Sequence, residues 1–82
     1  MYYVYIIKSI NFPFRYIGYT SDLLKRLAEH NDGQTQSTKH YLPFELESYI
    51  AVKTKTQAKT LEKYFKTGSG KAILKKRILQ LD

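Results

Sequence analysis

Sixteen residues, Tyr16-Ile-Gly-Tyr-Thr-Ser-Asp-Leu-Leu-Lys-Arg-Leu-Ala-Glu-His-Asn31, constrain this chain more than any other stretch. Tyr16, Ile17 and Tyr19 carry side chains that favour a strand. Gly18 relaxes the backbone among them. Thr20, Ser21 and Asp22 are residue types that cap a helix just before an apolar helical pattern, so a helix is predicted to begin near Ser21. At about 100° per residue, Leu23, Leu24, Leu27 and Ala28 gather on one face. Arg26 and His30, one turn apart, fall at the edge of that face. A strand running into a helix through so tight a corner can hold polar chemistry above a sheet.

The flanking sequence supplies the rest of the sheet. Tyr2 to Lys8 is β-branched and aromatic at both parities, as in a central strand covered on two faces. Turn residues from Ser9 to Pro13 then lead to a second strand, Phe14 to Tyr19, and a hairpin is the shortest connection. Beyond the first helix, Asn31-Asp32-Gly33 reads as a helix stop and the polar run to Tyr41 as a surface loop. Phe44, Leu46, Ile50 and Val52 alternate with Glu45, Glu47, Tyr49 and Ala51, which predicts a half-exposed third strand. Thr54 or Thr56 caps a second helix running through Lys66. A third, basic helix is predicted from Lys71 to Leu81, with Ala72, Leu74, Ile78 and Leu81 inward and Lys71, Lys75, Lys76 and Arg77 outward. The order β-β-α-β-α-α makes an α+β chain, one small antiparallel sheet covered by helices.

Eighty-two residues bound this to one domain with one modest core, spanning 1–82. Fourteen Lys and Arg against seven Asp and Glu leave a net charge of +7, and nucleic acid is the first partner such a balance implies, against the plainer alternative of a basic soluble protein. A membrane partner is disfavoured, because no segment joins a wide apolar face to a clean basic one. The absence of cysteine excludes disulfides, thiolate metal sites and cysteine nucleophiles. No basic leader precedes the first strand and no apolar run approaches the ~18 residues of a membrane span, so a cytoplasmic location is the expectation.

Glu62 is the most informative single residue. Ala58, Leu61 and Phe65 stand at i, i+3 and i+7 of the second helix, and Glu62 takes the i+4 place in that apolar stripe. A carboxylate there needs a cation, either Arg or Lys in a structural ion pair, with Arg26 one candidate, or a bound metal. Arg26 can clamp a phosphate in two-pronged fashion or simply pair with Glu29 on the helix surface. His30 can shuttle a proton or answer the helix dipole. Tyr5 and Tyr16 are either polar handles in a cleft or core aromatics. Lys39, His40 and Tyr41, at the end of the loop, are placed to touch phosphate and stack on a base, or to be ordinary solvated residues. Taken together, an Arg, a carboxylate, a His and two tyrosines match phosphodiester hydrolysis, in which negative charge develops on phosphate oxygens and a metal can share it.

These residues resemble the GIY-YIG nuclease family over nearly the whole chain. Tyr3-Val4-Tyr5 stands as the first half-motif, keeping its tyrosine and replacing its glycine and isoleucine; Tyr16-Ile17-Gly18 is the second, intact. Arg26 followed one turn later by His30 is similar to the family's arginine helix, and Ala58-Lys-Thr-Leu-Glu62-Lys to the helix bearing its metal-binding glutamate. The likeness is nearest to the compact stand-alone bacterial subfamily related to the incision domain of the excision-repair endonuclease. It implies a three-stranded antiparallel sheet flanked by helices, one Mg2+ or Mn2+ on Glu62, and Tyr5 or Tyr16 deprotonating the attacking water. It also implies Arg26 on the developing phosphate charge and His30 in proton transfer or phosphate positioning. DNA is the implied partner, with Lys39, His40, Lys71, Lys75, Lys76 and Arg77 as its phosphate contacts; a monomer without a small-molecule cofactor is expected. Two places depart from the family pattern: Tyr19 stands where several members have lysine, and no asparagine follows Glu62. The alternative function is a binding module that keeps the fold and the basic surface without turnover.

Overall fold

The computed structural model describes residues 1–80. Strands β1 (Tyr2–Ser9), β2 (Arg15–Thr20) and β3 (Phe44–Val52) form one antiparallel sheet in the order β2-β1-β3. The run of apolar residues at both parities puts β1 in the middle, where Val4, Tyr5, Ile6 and Ile7 are all buried. Helix α1 (Leu23–Asn31) packs Leu23 and Leu27 on the face that carries Tyr5, Ile7 and Phe44. Helices α2 (Lys55–Phe65) and α3 (Gly68–Ile73) cover the other face, where Val4 and Ile6 meet Ala58, Phe65 and Leu74.

Local chemistry fixes the helix ends. The Asp22 carboxylate accepts from the Lys25 N–H at 3.1 Å and caps α1, which starts at Leu23, two residues beyond the expected Ser21. At the other end Gly33 adopts a φ of +74°, the left-handed conformation that stops a helix. The Asn31 carboxamide ties that end to β3, accepting from the Phe44 N–H at 2.7 Å and donating to the Phe44 carbonyl at 3.0 Å. Of the two candidate caps for α2, Thr54 is the one used, in a reciprocal capping box with Gln57.

Three expectations are corrected. The third helix begins at Gly68 rather than Lys71, because the Thr67 hydroxyl caps it by accepting from the Gly70 N–H, and it passes into a π-helical turn at Leu74–Ile78. Leu74 is buried as expected and Ile78 packs on the core, while Leu81 lies outside the described residues. The segment Lys39–Tyr41 is a 3-10 turn rather than open loop. Third, β3 does not keep one apolar face. A bulge shifts its pairing between Ile6↔Ser48 and Ile7↔Leu46, inserting Glu47. Phe44 and Leu46 therefore face α1, whereas Ile50 and Val52 face α2.

Helix α3 approaches α2 so closely that a Cβ at Gly70 would collide with the Tyr64 carbonyl oxygen and crowd the Phe65 Cα. Backbone cannot step aside as a side-chain tip can. Gly70→Ala is expected to lower stability by about 1–3 kcal/mol, read as a lower urea midpoint at unchanged slope.

Candidate active site

The sheet register brings the first half-motif onto the second. Tyr5 pairs with Gly18 across β1 and β2, and the Tyr5 ring lies over the glycine: a Cβ at Gly18 would stand 2.5 Å from the Tyr5 hydroxyl and 2.7 Å from Cζ. The glycine is thus required by a close approach and not by a turn. Tyr16, two register pairs along, faces the same side; the two tyrosine centroids are 6.3 Å apart.

Helix α1 then supplies partners for the buried phenol. Tyr5 Oη and His30 Nε2 are 2.8 Å apart, and Arg26 Nε donates to the same oxygen at 3.3 Å. His30, fully buried rather than at an edge, has its Nδ1 2.9 Å from the Thr38 hydroxyl, which itself donates to the Thr35 carbonyl at 3.4 Å. In the Nδ1–H tautomer Nδ1 donates to Thr38 and Nε2 is left as an acceptor. Tyr5 then donates to His30, and the chain runs one way: Arg26 to Tyr5 to His30 to Thr38 to the backbone.

Charge around the site follows from burial. The Tyr5 phenol is pushed above its ordinary value chiefly by desolvation, with Arg26 opposing the shift and the negative charge of Glu62 adding to it. Burial and then the Arg26 guanidinium hold His30 below the ordinary imidazole range, so the ring is neutral near pH 7. Arg26 also donates through Nη1 to Glu29 at 3.1 Å, and its Nη2 has no partner among the described residues.

Glu62 does not pair with Arg26. Its partner is Lys66, one turn on in α2, at 3.2 Å, and the Lys66 ammonium in turn lies 5.9 Å from the centre of the Tyr16 ring. Because β2 is the sheet edge, this flank of α2 reaches around it to the tyrosine face. The Glu62 side chain keeps 18% of its surface exposed, so it is not sealed in the core. Among the described residues no three carboxylate or imidazole groups gather into a cage for a cation. A single half-buried carboxylate suits a hard, largely hydrated ion such as Mg2+ or Mn2+, bound jointly with a phosphate, and does not suit a closed zinc centre.

The remaining candidates are dispersed. Lys39 and His40 are exposed immediately after Thr38, close in sequence to the hydrogen-bond chain. Tyr41 stacks on Phe14 with centroids 4.0 Å apart, so its ring is packed within the protein rather than offered to a base. Lys71 and Lys75 border a cleft of about 230 Å3 with Arg15, floored by Ile6, Ile17 and Leu74, on the sheet face opposite Tyr5. Arg15 is already engaged in a two-pronged pair with Glu47 across β1. Lys76 and Arg77 are exposed on the π-helical turn. Two participants escaped sequence reasoning: Thr38, hidden in a polar run, and Lys66, whose i,i+4 spacing from Glu62 was the available signal.

The central tyrosine of the sheet is thus gripped by an arginine and a histidine from the following helix. The chain belongs to the GIY-YIG family: the GIY-YIG catalytic domain matches residues 1–77. Its relatives include UPF0213 proteins. One from Streptococcus pyogenes serotype M3 is 38% identical over 65 residues, 78% of this chain and 70% of the relative; UPF0213 protein YsiG of Lactococcus lactis subsp. lactis is 39% identical over 66 residues, 79% of this chain and 62% of the relative. No solved structure matches. The domain indicates a nuclease acting on nucleic acid, a class that generally uses divalent metals. Among the described residues no helix is long and apolar enough to cross a membrane.

The neutral, buried His30 has a consequence for stability. An unfolded chain takes up its imidazole proton near the ordinary value of 6.5, whereas the folded protein resists until a lower pH. The contribution is fully present above pH 6.5 and is lost as pH falls from there through the folded value. Urea titrations across pH 7.5 to 5 are expected to show this decline, and His30→Gln is expected to flatten it.

Proposed function

We propose that the protein is a divalent-metal-dependent endonuclease that hydrolyses phosphodiester bonds in DNA. The observation that carries the reading is the hydrogen-bond chain through Tyr5, with Arg26 on one side of the phenol and His30 on the other. A phenol that only filled the core would need one partner for its hydroxyl; this one has both a proton acceptor and a cation.

Of the two tyrosines, Tyr5 is the one assigned as base. Its hydroxyl is fixed by His30 Nε2, and its oxygen accepts from the Arg26 Nε–H, the contact that favours the phenolate against the effect of burial. The phenolate oxygen takes a proton from the attacking water as that water's oxygen bonds to phosphorus, and the bond to the leaving sugar oxygen breaks with its electron pair on that oxygen, which takes a proton from solvent. Tyr16 has no comparable acceptor among the described residues, and its hydroxyl is suited to orienting the phosphate. The Nη2 group of Arg26, without a described partner, supplies donors for the equatorial phosphate oxygens. Glu62 would hold the Mg2+ or Mn2+, releasing Lys66 from its ion pair. Bound there, the ion would add charge stabilisation on the phosphate oxygens. Lys39, His40, Lys76 and Arg77 are proposed contacts to flanking phosphates, as are Lys71 and Lys75 for a strand passing around the β2 edge.

The test is nicking of supercoiled plasmid in Mg2+ or Mn2+. Tyr5→Phe is expected to slow the reaction by about 10²–10⁴-fold, Arg26→Ala by about 10²–10³-fold, and Glu62→Ala to abolish it. Gly18→Ala, which displaces the Tyr5 ring, is expected to lower the rate while leaving DNA affinity unchanged. Activity that survives both Arg26→Ala and Glu62→Ala rejects the site. Salt-sensitive DNA binding without nicking in either metal would favour the non-cleaving binding module.

A further inference from the structure

Helix α1 covers only one end of its sheet face. At the other end Tyr3, Thr20, Tyr49 and Ala51 share that face by register, and neither tyrosine nor the alanine joins either core cluster. Tyr49 is 51% exposed. It reaches this side of the sheet only because the bulge at Glu47 reverses the alternation of β3. Its direct partner across the strands is Tyr5, whose ring leans the other way over Gly18 and leaves Tyr49 uncovered. Tyr3 and Tyr49 meet edge to face, with centroids 5.8 Å apart and planes at 73°. Tyr3 occupies the place of the glycine in the first half-motif, so this aromatic pair is a feature of the present chain rather than of the motif.

We infer that Tyr3 and Tyr49 form a stacking platform for an unpaired nucleobase beside the scissile phosphate, and hence that the substrate is a nucleic acid with a single-stranded or extruded nucleotide at the cut. The inference rests on the nuclease reading. Neighbouring strands in a sheet are about 5 Å apart, so the platform adjoins Tyr5 directly. The exposed Tyr49 ring, with the half-buried Tyr3 ring against its edge, offers a base an apolar surface with polar tips at its rim. A base inside an intact duplex has no free face to give them; an unpaired one does. The chain's net charge of +7 suits a polyanion at this surface and opposes close approach of a second copy through the same patch.

The experiment is metal-free binding of one oligonucleotide carrying a single 2-aminopurine, as a single strand and as the blunt duplex, to wild type and to Tyr3→Leu, Tyr49→Leu, Tyr3→Phe and Tyr49→Phe. Stacking is expected to quench 2-aminopurine in the single strand with wild type. Each leucine variant is expected to weaken single-strand binding about tenfold, with duplex binding changed less than about twofold and the phenylalanine variants close to wild type. Absence of quenching in wild type, equal losses for single strand and duplex, or no loss for either would overturn the platform. So would a wild-type dimer in sedimentation that Tyr49→Leu dissolves, since the patch would then belong to a second copy. If the leucine variants fail to fold, the wild-type quenching decides. Because binding is read without metal or turnover, a failure of cleavage leaves this result readable, and a failure here leaves the nicking result standing.

Discussion

A phenol at the centre of a sheet must find partners for its hydroxyl or forfeit much of the free energy gained by burying its ring. Tyr5 meets that demand by leaning across Gly18, where the absent side chain makes room, and by meeting two groups from α1. Much else follows from this one placement. The distance between strand and helix, the depth of His30 and the direction of Arg26 are all set by an oxygen that both must reach. Thr38 extends the same requirement into the loop, since a buried imidazole needs a partner on each nitrogen.

The two faces of the sheet divide the labour. One carries a plain apolar core of Val4, Ile6, Ala58, Phe65 and Leu74, close-packed enough that α3 needs a glycine at its contact with α2. The other mixes core with polar groups and contains most of the chemistry. Glu62 belongs by sequence to the helix of the first face and by influence to the second, because α2 runs beside an edge strand that it can reach around. That position lets a carboxylate stay partly solvated, with Lys66 as its counter-ion, while acting on a phenol across the strand.

Much of this was legible in the residues. The β1 run announced a central strand because both of its parities are apolar, and the Asp22 and Thr54 regions announced helix starts because their side chains match unpaired backbone N–H groups. Glu62 stood out because a charge interrupted an apolar stripe. What stayed hidden depended on three-dimensional register. Nothing in an alternating β3 marks Glu47 as the residue to be looped out, and a threonine in a polar run does not reveal that an imidazole will point at it. The start of α3 was misplaced for a simpler reason: glycine is a poor helix former, yet Gly68 and Gly70 lie inside α3, and Gly70 is there so that two helices can touch.

The looped-out residue also has a meaning for how freely this chain can vary. Glu47 is the one residue of β3 without a partner in β1, so its loss would join Leu46↔Ile7 directly to Ser48↔Ile6 and leave every side chain on its present face, at the cost of the Arg15 ion pair. Elsewhere in β3 a change of length would have to be absorbed at that same point, which makes the bulge the one place in the strand where the count of residues can fall by one.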